Sequence, residues 1–173
     1  MLHFIFALAA VILFAAASPT YKLSKTMLKT YPEQDDCTLP EKFVVQNFRL
    51  WVSKADKQTA VVDFKYSDSS TRIDTACHFD SSSVNVGLPG MAPRFACNNP
   101  SVQFILENSS LTMIEKACFE SNPARPYEAA GTVKPELDCV ETGQDSQFGE
   151  GMNCVGVPAT ISGKFTSLQP TPQ

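Results

Sequence analysis

The sequence predicts an all-β fold, a compact antiparallel β-barrel or β-sandwich stapled by disulfides. Short runs of alternating apolar and polar residues are separated by clusters of Ser, Asn, Gly and Pro. No stretch keeps a helical period for three turns. Six cysteines, all downstream of an apolar opening segment, form an even set in a chain bound for an oxidising compartment.

Residues 1–17 read as a signal peptide. The apolar run Phe4 to Phe14 has the length of an h-region and falls short of the roughly 20 residues that a spanning helix needs. Ala15-Ala16-Ala17 offers the small residues that a signal peptidase reads, so the mature chain is expected to begin at Ser18. Residues 18–36, polar and carrying Lys22, Lys25 and Lys29, read as a flexible lead-in, with one helical turn around Leu23–Leu28. The β domain is expected over 37–166, followed by a disordered tail at 167–173, where Pro170 and Pro172 oppose regular pairing.

Within the domain, Phe48, Leu50 and Val52 alternate with Arg49, Trp51 and Ser53. Ala60, Val62, Phe64 and Tyr66 alternate with Val61, Asp63 and Lys65. Ile73, Thr75, Cys77 and Phe79 stand opposite Arg72, Asp74 and His78. Val102, Phe104 and Leu106 lead through a polar turn to Leu111 and Met113, and Ala159, Ile161, Gly163 and Phe165 form a last run. In the first hairpin, pairing Tyr66 with Thr71 would set Asp63 against Asp74 and Lys65 against Arg72, which is unfavourable. A slip of two residues sets Lys65 against Asp74 and is preferred. The second hairpin is expected to turn at Asn108-Ser109. That places the sequon Asn108-Ser109-Ser110, an expected glycosylation site, at an exposed tip.

About 155 residues remain after the signal, enough for one domain with a core. The net charge of −4 without basic clusters argues against nucleic acid and anionic membrane surfaces. Six cysteines permit 15 complete pairings, and spacing alone does not choose. Proximity favours Cys139 with Cys154, bracketing a polar Gly-containing loop, and Cys77 with Cys97, bracketing Asp80–Pro93. Cys37 and Cys118 would remain as a long-range staple. Zinc is disfavoured, since no C-x-x-C occurs and His78 is the only histidine after the signal.

The order Cys37, Phe43-Val44-Val45-Gln46-Asn47-Phe48, Val62-Asp63-Phe64, Cys77, Cys97, Val102-Gln103-Phe104-Ile105-Leu106, Cys139 and Cys154 resembles a known family. It is similar to the Alternaria major allergen-like (Alt a 1-like) family of small secreted fungal proteins, over most of Cys37 to Phe165. The resemblance implies a β-barrel-like domain with no established enzyme activity, secreted or wall-associated. Some members act as allergens or elicit plant defence. It also implies intrachain bridges at Cys77–Cys97 and Cys139–Cys154, and an early cysteine, here Cys37, that can link two subunits. This chain departs from the family in having Cys118, which offers Cys37 a partner within its own chain. A monomer is therefore favoured over a covalent dimer.

Candidate chemistry is sparse. His78 reads as a surface histidine, and no G-x-S-x-G, H-E-x-x-H or phosphate-cradling loop occurs. Two carboxylates suffice for glycoside hydrolysis. Alternation sets Glu115 on the apolar face with Leu111 and Met113, where burial would raise its pKa. The expected resolution is that the strand bulges or ends first and the carboxylate reaches solvent. Asp63 and Asp74 are expected to pair with Lys65 and Arg72. Trp51, on the outward register beside Arg49, has the composition of an interface anchor, although packing under a loop competes with that reading. The loop Val140–Asn153 presents Glu141, Asp145 and Glu150 around one apolar tip, Phe148. Trp51 and Phe148 are thus the candidate partner-binding residues. No cofactor and no metal are expected. The function expected is a secreted, non-enzymatic binding protein, effector- or allergen-like, with a protein partner at a host or wall surface. The competing expectation is a wall glycan-binding or glycan-hydrolysing protein.

Overall fold

The computed structural model describes residues 38–118 and 127–171. The signal segment, the lead-in and Cys37 lie outside the described residues. The strands are β1 (Lys42–Ser53), β2 (Ala60–Asp68), β3 (Ile73–Phe79), β4 (Phe95–Ala96), β5 (Val102–Glu107) and β6 (Ser110–Ala117). They continue with β7 (Tyr127–Val133), β8 (Glu136–Thr142), β9 (Gly151–Val157), β10 (Thr160–Lys164) and β11 (Ser167–Pro170). There is no helix among the described residues. Two antiparallel sheets pack face to face. One runs β3-β2-β1-β9-β8 with β10 also paired to β1, and the other runs β11-β7-β6-β5-β4.

β1 organises the first sheet, and its sequence explains how. Its buried residues that join the core between the sheets are Phe43 and Val45, then Phe48. That odd-to-even switch cannot lie on one face of a regular period-2 strand. Asn47 absorbs the extra residue in a left-handed conformation (φ 53°), with a register shift between Gln46 and Arg49. The bulge is also where β1 changes partner. Its first half pairs with β10 and its second half with β9. The Asn47 amide donates to the Ala159 carbonyl at 2.8 Å, in the link between those strands.

The predicted inward sets form the core. Val62, Tyr66, Val102, Phe104, Leu111 and Met113 are all fully buried. Each contributes about 1.5–3 kcal/mol by leaving water. Phe64 of β2 meets Phe104 of β5 edge-on at 5.1 Å, joining the two sheets.

The second hairpin is as expected. Glu107 pairs with Ser110, and Asn108 and Ser109 both take positive φ, the geometry of a two-residue primed turn. The first hairpin differs. Tyr66 pairs with Thr75 and Lys65 with Ala76, a further two-residue slip beyond the expected register. Like the expected slip it keeps the same residues inward. The carboxylate of Asp68 accepts from the Ser70 amide at 2.7 Å and from the Ser70 hydroxyl, fixing the turn at residues 69–72. In consequence Asp63 faces His78 instead of pairing with Lys65.

The tail is a second correction. Ser167–Pro170 is not disordered but pairs with β7. Leu168, 7% exposed, anchors it, and its place at the sheet edge tolerates the missing Pro170 amide hydrogen. The loop after Cys139 is also shorter than expected, because β8 extends to Thr142 and β9 begins at Gly151.

Both local bridges are present. Cys139 and Cys154 are direct neighbours across β8 and β9. Cys77 of β3 is bonded to Cys97, just after β4, so this bridge ties one sheet to the other. Cys118 is also disulfide-bonded. No helix among the described residues is long and apolar enough to cross a membrane. The disulfide-bonded β domain is consistent with an extracellular location.

Candidate functional site

The second half of β1 turns Arg49 and Trp51 to the outer face of the first sheet. Register sets Asp63 of β2 and Val155 of β9 on either side of Arg49. It sets Val61 and Asn153 on either side of Trp51. The loop 143–150 folds over this row. Trp51 Nε1 donates to Thr142 Oγ1 at 3.3 Å, and Thr142 Oγ1 donates to the Gly149 carbonyl at 3.0 Å. The Ser146 hydroxyl donates to the same carbonyl. Gly149 turns the chain at φ 86°, and the ring of Phe148 settles 5.6 Å from the Trp51 indole. At Gly151 a Cβ would lie 2.5 Å from the Val52 carbonyl oxygen and 2.6 Å from Trp51 Nε1, so only glycine lets the chain pass this close.

Between loop and sheet lies an open cleft of about 550 Å³. Arg49, Asp63, Gln147, Phe148 and Asn153 line it, above Trp51. The two candidate partner-binding residues are therefore brought together, in unequal roles. Trp51 is 7% exposed and serves as a packed floor, so it is not an exposed anchor. Phe148, 45% exposed, is the aromatic that solvent meets. The burial follows from the indole's area, which the loop covers, and from its N–H, which Thr142 at the end of β8 accepts. Arg49, Gln147 and Asn153 were not singled out from sequence. Alternation along β1 marks Arg49 as outward, but only the β1–β9 register brings Asn153 near it, and only the fold of the loop 143–150 brings Gln147.

Asp63 also belongs to a neighbouring charged group. His78 Nδ1 lies 2.7 Å from Asp63 Oδ1, and His78 Nε2 lies 3.3 Å from Asp80 Oδ2. The Asp63 hydrogen bond raises the His78 pKa; partial burial is the next-largest influence and opposes it, and the Asp80 hydrogen bond and the charges of both carboxylates add to the rise. Bonds from Ser82 and then His78 lower Asp80 to about 2. His78 is thus a surface histidine, as expected, though one held between two carboxylates. Asp74 stands opposite Ser67 rather than beside Arg72.

Glu115 overturns its expectation. β6 neither bulges nor ends before it, and the side chain is fully buried between the sheets. Tyr66 of β2 donates its hydroxyl to Glu115 Oε2, while Oε1 has no hydrogen-bond partner. Burial pushes the Glu115 pKa up to about 7. The Tyr66 bond and, after it, the nearby Thr71 hydroxyl offset part of this, and the negative charge of Asp68 adds to it. Burial likewise drives the Tyr66 hydroxyl far above its ordinary value. This carboxyl faces the core and the cleft lies on the opposite side of the sheet, so the two do not converge.

On the second sheet, Arg94 and Glu128 form a buried ion pair at 2.8 Å beneath the loop 80–94. That loop presents Val84 (76% exposed), Val86, Leu88 and Met91 to solvent. No cluster of three or more His, Cys, Asp or Glu suited to a metal ion occurs among the described residues. No protein-family model, curated protein or solved structure matches this chain.

Proposed function

We propose that this chain is a secreted binding protein without catalytic activity, and that the cleft under Phe148 is its recognition site. It acts at a host or cell-wall surface, in the manner of the fungal effector- and allergen-like proteins that its cysteine order and strand motifs resemble. The observation that carries this reading is the cleft itself. An exposed aromatic and several hydrogen-bonding side chains surround a recess whose wall is a disulfide-linked strand pair and a hydrogen-bonded loop. Such a site is ordered before its ligand arrives, so binding costs little conformational entropy.

Carboxylate catalysis has less support. Glycoside hydrolysis needs two carboxyl groups flanking one bond. Asp63 lines the cleft, but its Oδ1 is engaged by His78, and Glu115 is sealed in the core.

The test is retention of the purified protein on intact wall preparations and on host tissue, comparing wild type with Phe148→Ala and Asn153→Ala. Retention is expected to fall at least fivefold in each variant with the melting temperature little changed. Turnover of a wall polysaccharide by wild type would overturn the non-enzymatic reading.

A further inference from the structure

Resting on the cleft as the recognition site, we infer that its ligand is a neutral oligosaccharide segment of a surface or wall polysaccharide. A pyranose ring has an apolar face of C–H bonds and a rim of hydroxyls that both donate and accept. The cleft has a counterpart for each. The Phe148 ring, 45% exposed, and the Val155 side chain, 41% exposed, supply apolar contact. Arg49, Gln147 and Asn153 supply planar groups, each with two adjacent hydrogen-bonding atoms that match neighbouring sugar hydroxyls, and Asp63 supplies the carboxylate oxygen that His78 does not engage.

Charge separates this ligand from others. Arg49 and Asp63 face each other in the β1–β2 register and bring opposite charges to the cleft, so it carries no field of one sign. A sulfated or uronic polymer would meet the Asp63 carboxylate, and an amine would meet the Arg49 guanidinium. A purely apolar side chain would desolvate both charges and both amides without replacing their hydrogen bonds with water. A hydroxylated, uncharged ligand replaces those bonds.

The platform is also fixed in place. Phe148 rests on Trp51, whose indole N–H is held by Thr142, and Thr142 in turn holds Gly149. A stacking ring held this way loses little freedom when a sugar settles on it. Affinity is expected to be modest, with Kd between about 10 μM and 1 mM, because one aromatic and four polar side chains bound the contact.

The experiment is calorimetric titration of the mature protein with laminarihexaose, cellohexaose and chitohexaose, with a galacturonate hexamer as the charged comparison. At least one neutral hexaose is expected to bind saturably. Phe148→Ala and Asn153→Ala are each expected to weaken it about tenfold, and Val84→Ser in the loop 80–94 to leave it unchanged. Asn153 is exposed on β9, so its variant keeps the test valid if loss of Phe148 loosens the loop. The inference fails if no neutral hexaose binds, if only the charged hexamer binds, or if both cleft variants bind as wild type does. Surface retention then separates the two readings. If hexaoses fail while Phe148→Ala still lowers retention, and protease treatment of the surface abolishes it, the occupant is a protein and the cleft stands. If retention is also unchanged, both readings fall.

Discussion

Tyr66 donates its phenolic hydroxyl to the carboxyl of Glu115 across the interior of the sandwich, from β2 to β6, with both side chains fully buried. This bond puts one titratable group of each sheet in the core. Glu115 has a folded-state pKa of about 7 against an ordinary value of 4.5. The native state therefore keeps a proton that the unfolded chain has released between those values. Stability from this group is fully present below about pH 4.5 and is lost as pH rises through about 7. Urea unfolding at pH 4.5, 6 and 8 should show a decline of order 2–3 kcal/mol from this group. Glu115→Gln should flatten it. His78, also raised, contributes in the same direction, so His78→Asn alone should leave most of the decline in place.

Trp51 is a structural floor for the cleft. Trp51→Ala should destabilise the domain by about 3 kcal/mol, as for other buried aromatics. Hydrogen exchange of residues 143–150 should rise by more than the global destabilisation explains. Gly151→Ala, which forces a Cβ to 2.5 Å from the Val52 carbonyl oxygen, should produce the same local signature. Unchanged exchange in the loop for both variants would refute the role given to this contact.

The Arg94–Glu128 pair is buried on both sides, with side-chain exposures of 9% and 3%. Arg94→Met should cost about 3–5 kcal/mol, because it leaves Glu128 charged and unpaired under the loop 80–94. Arg94→Met combined with Glu128→Leu should recover most of that loss. Chemical denaturation of the two variants decides it, since additive losses would contradict a coupled pair.

Replacing Cys139 and Cys154 together by serine opens a bridge between residues 15 apart in sequence. The expected loss is about 3 kcal/mol. Because the bridge crosses the middle of the hairpin that carries Phe148, oligosaccharide binding should weaken beyond what the lower stability accounts for at temperatures well below the melt. Binding equal to wild type under those conditions would show that the loop's own hydrogen bonds suffice.

The sequence by itself determined the fold class and most of the core. Alternation along Val62, Phe64 and Tyr66, or along Val102, Phe104, Leu111 and Met113, reflects a period of two that belongs to the backbone, so it is legible residue by residue. The Asn108-Ser109 turn and the two local bridges follow from equally short-range constraints. Tertiary structure decided what depends on which strand lies beside which. The odd-to-even switch in β1 becomes intelligible only once β9 and β10 share its edge around Asn47. The first hairpin's register was settled by the Asp68 turn and the Asp63–His78 pair, because even-numbered slips bury the same residues. Glu115 stays buried because Tyr66, 49 residues away, supplies a donor that no local pattern announces. The cleft has the same origin. Arg49, Asp63, Gln147, Phe148 and Asn153 come from β1, β2, β9 and one loop, and only the folded sheet puts their side chains around one space.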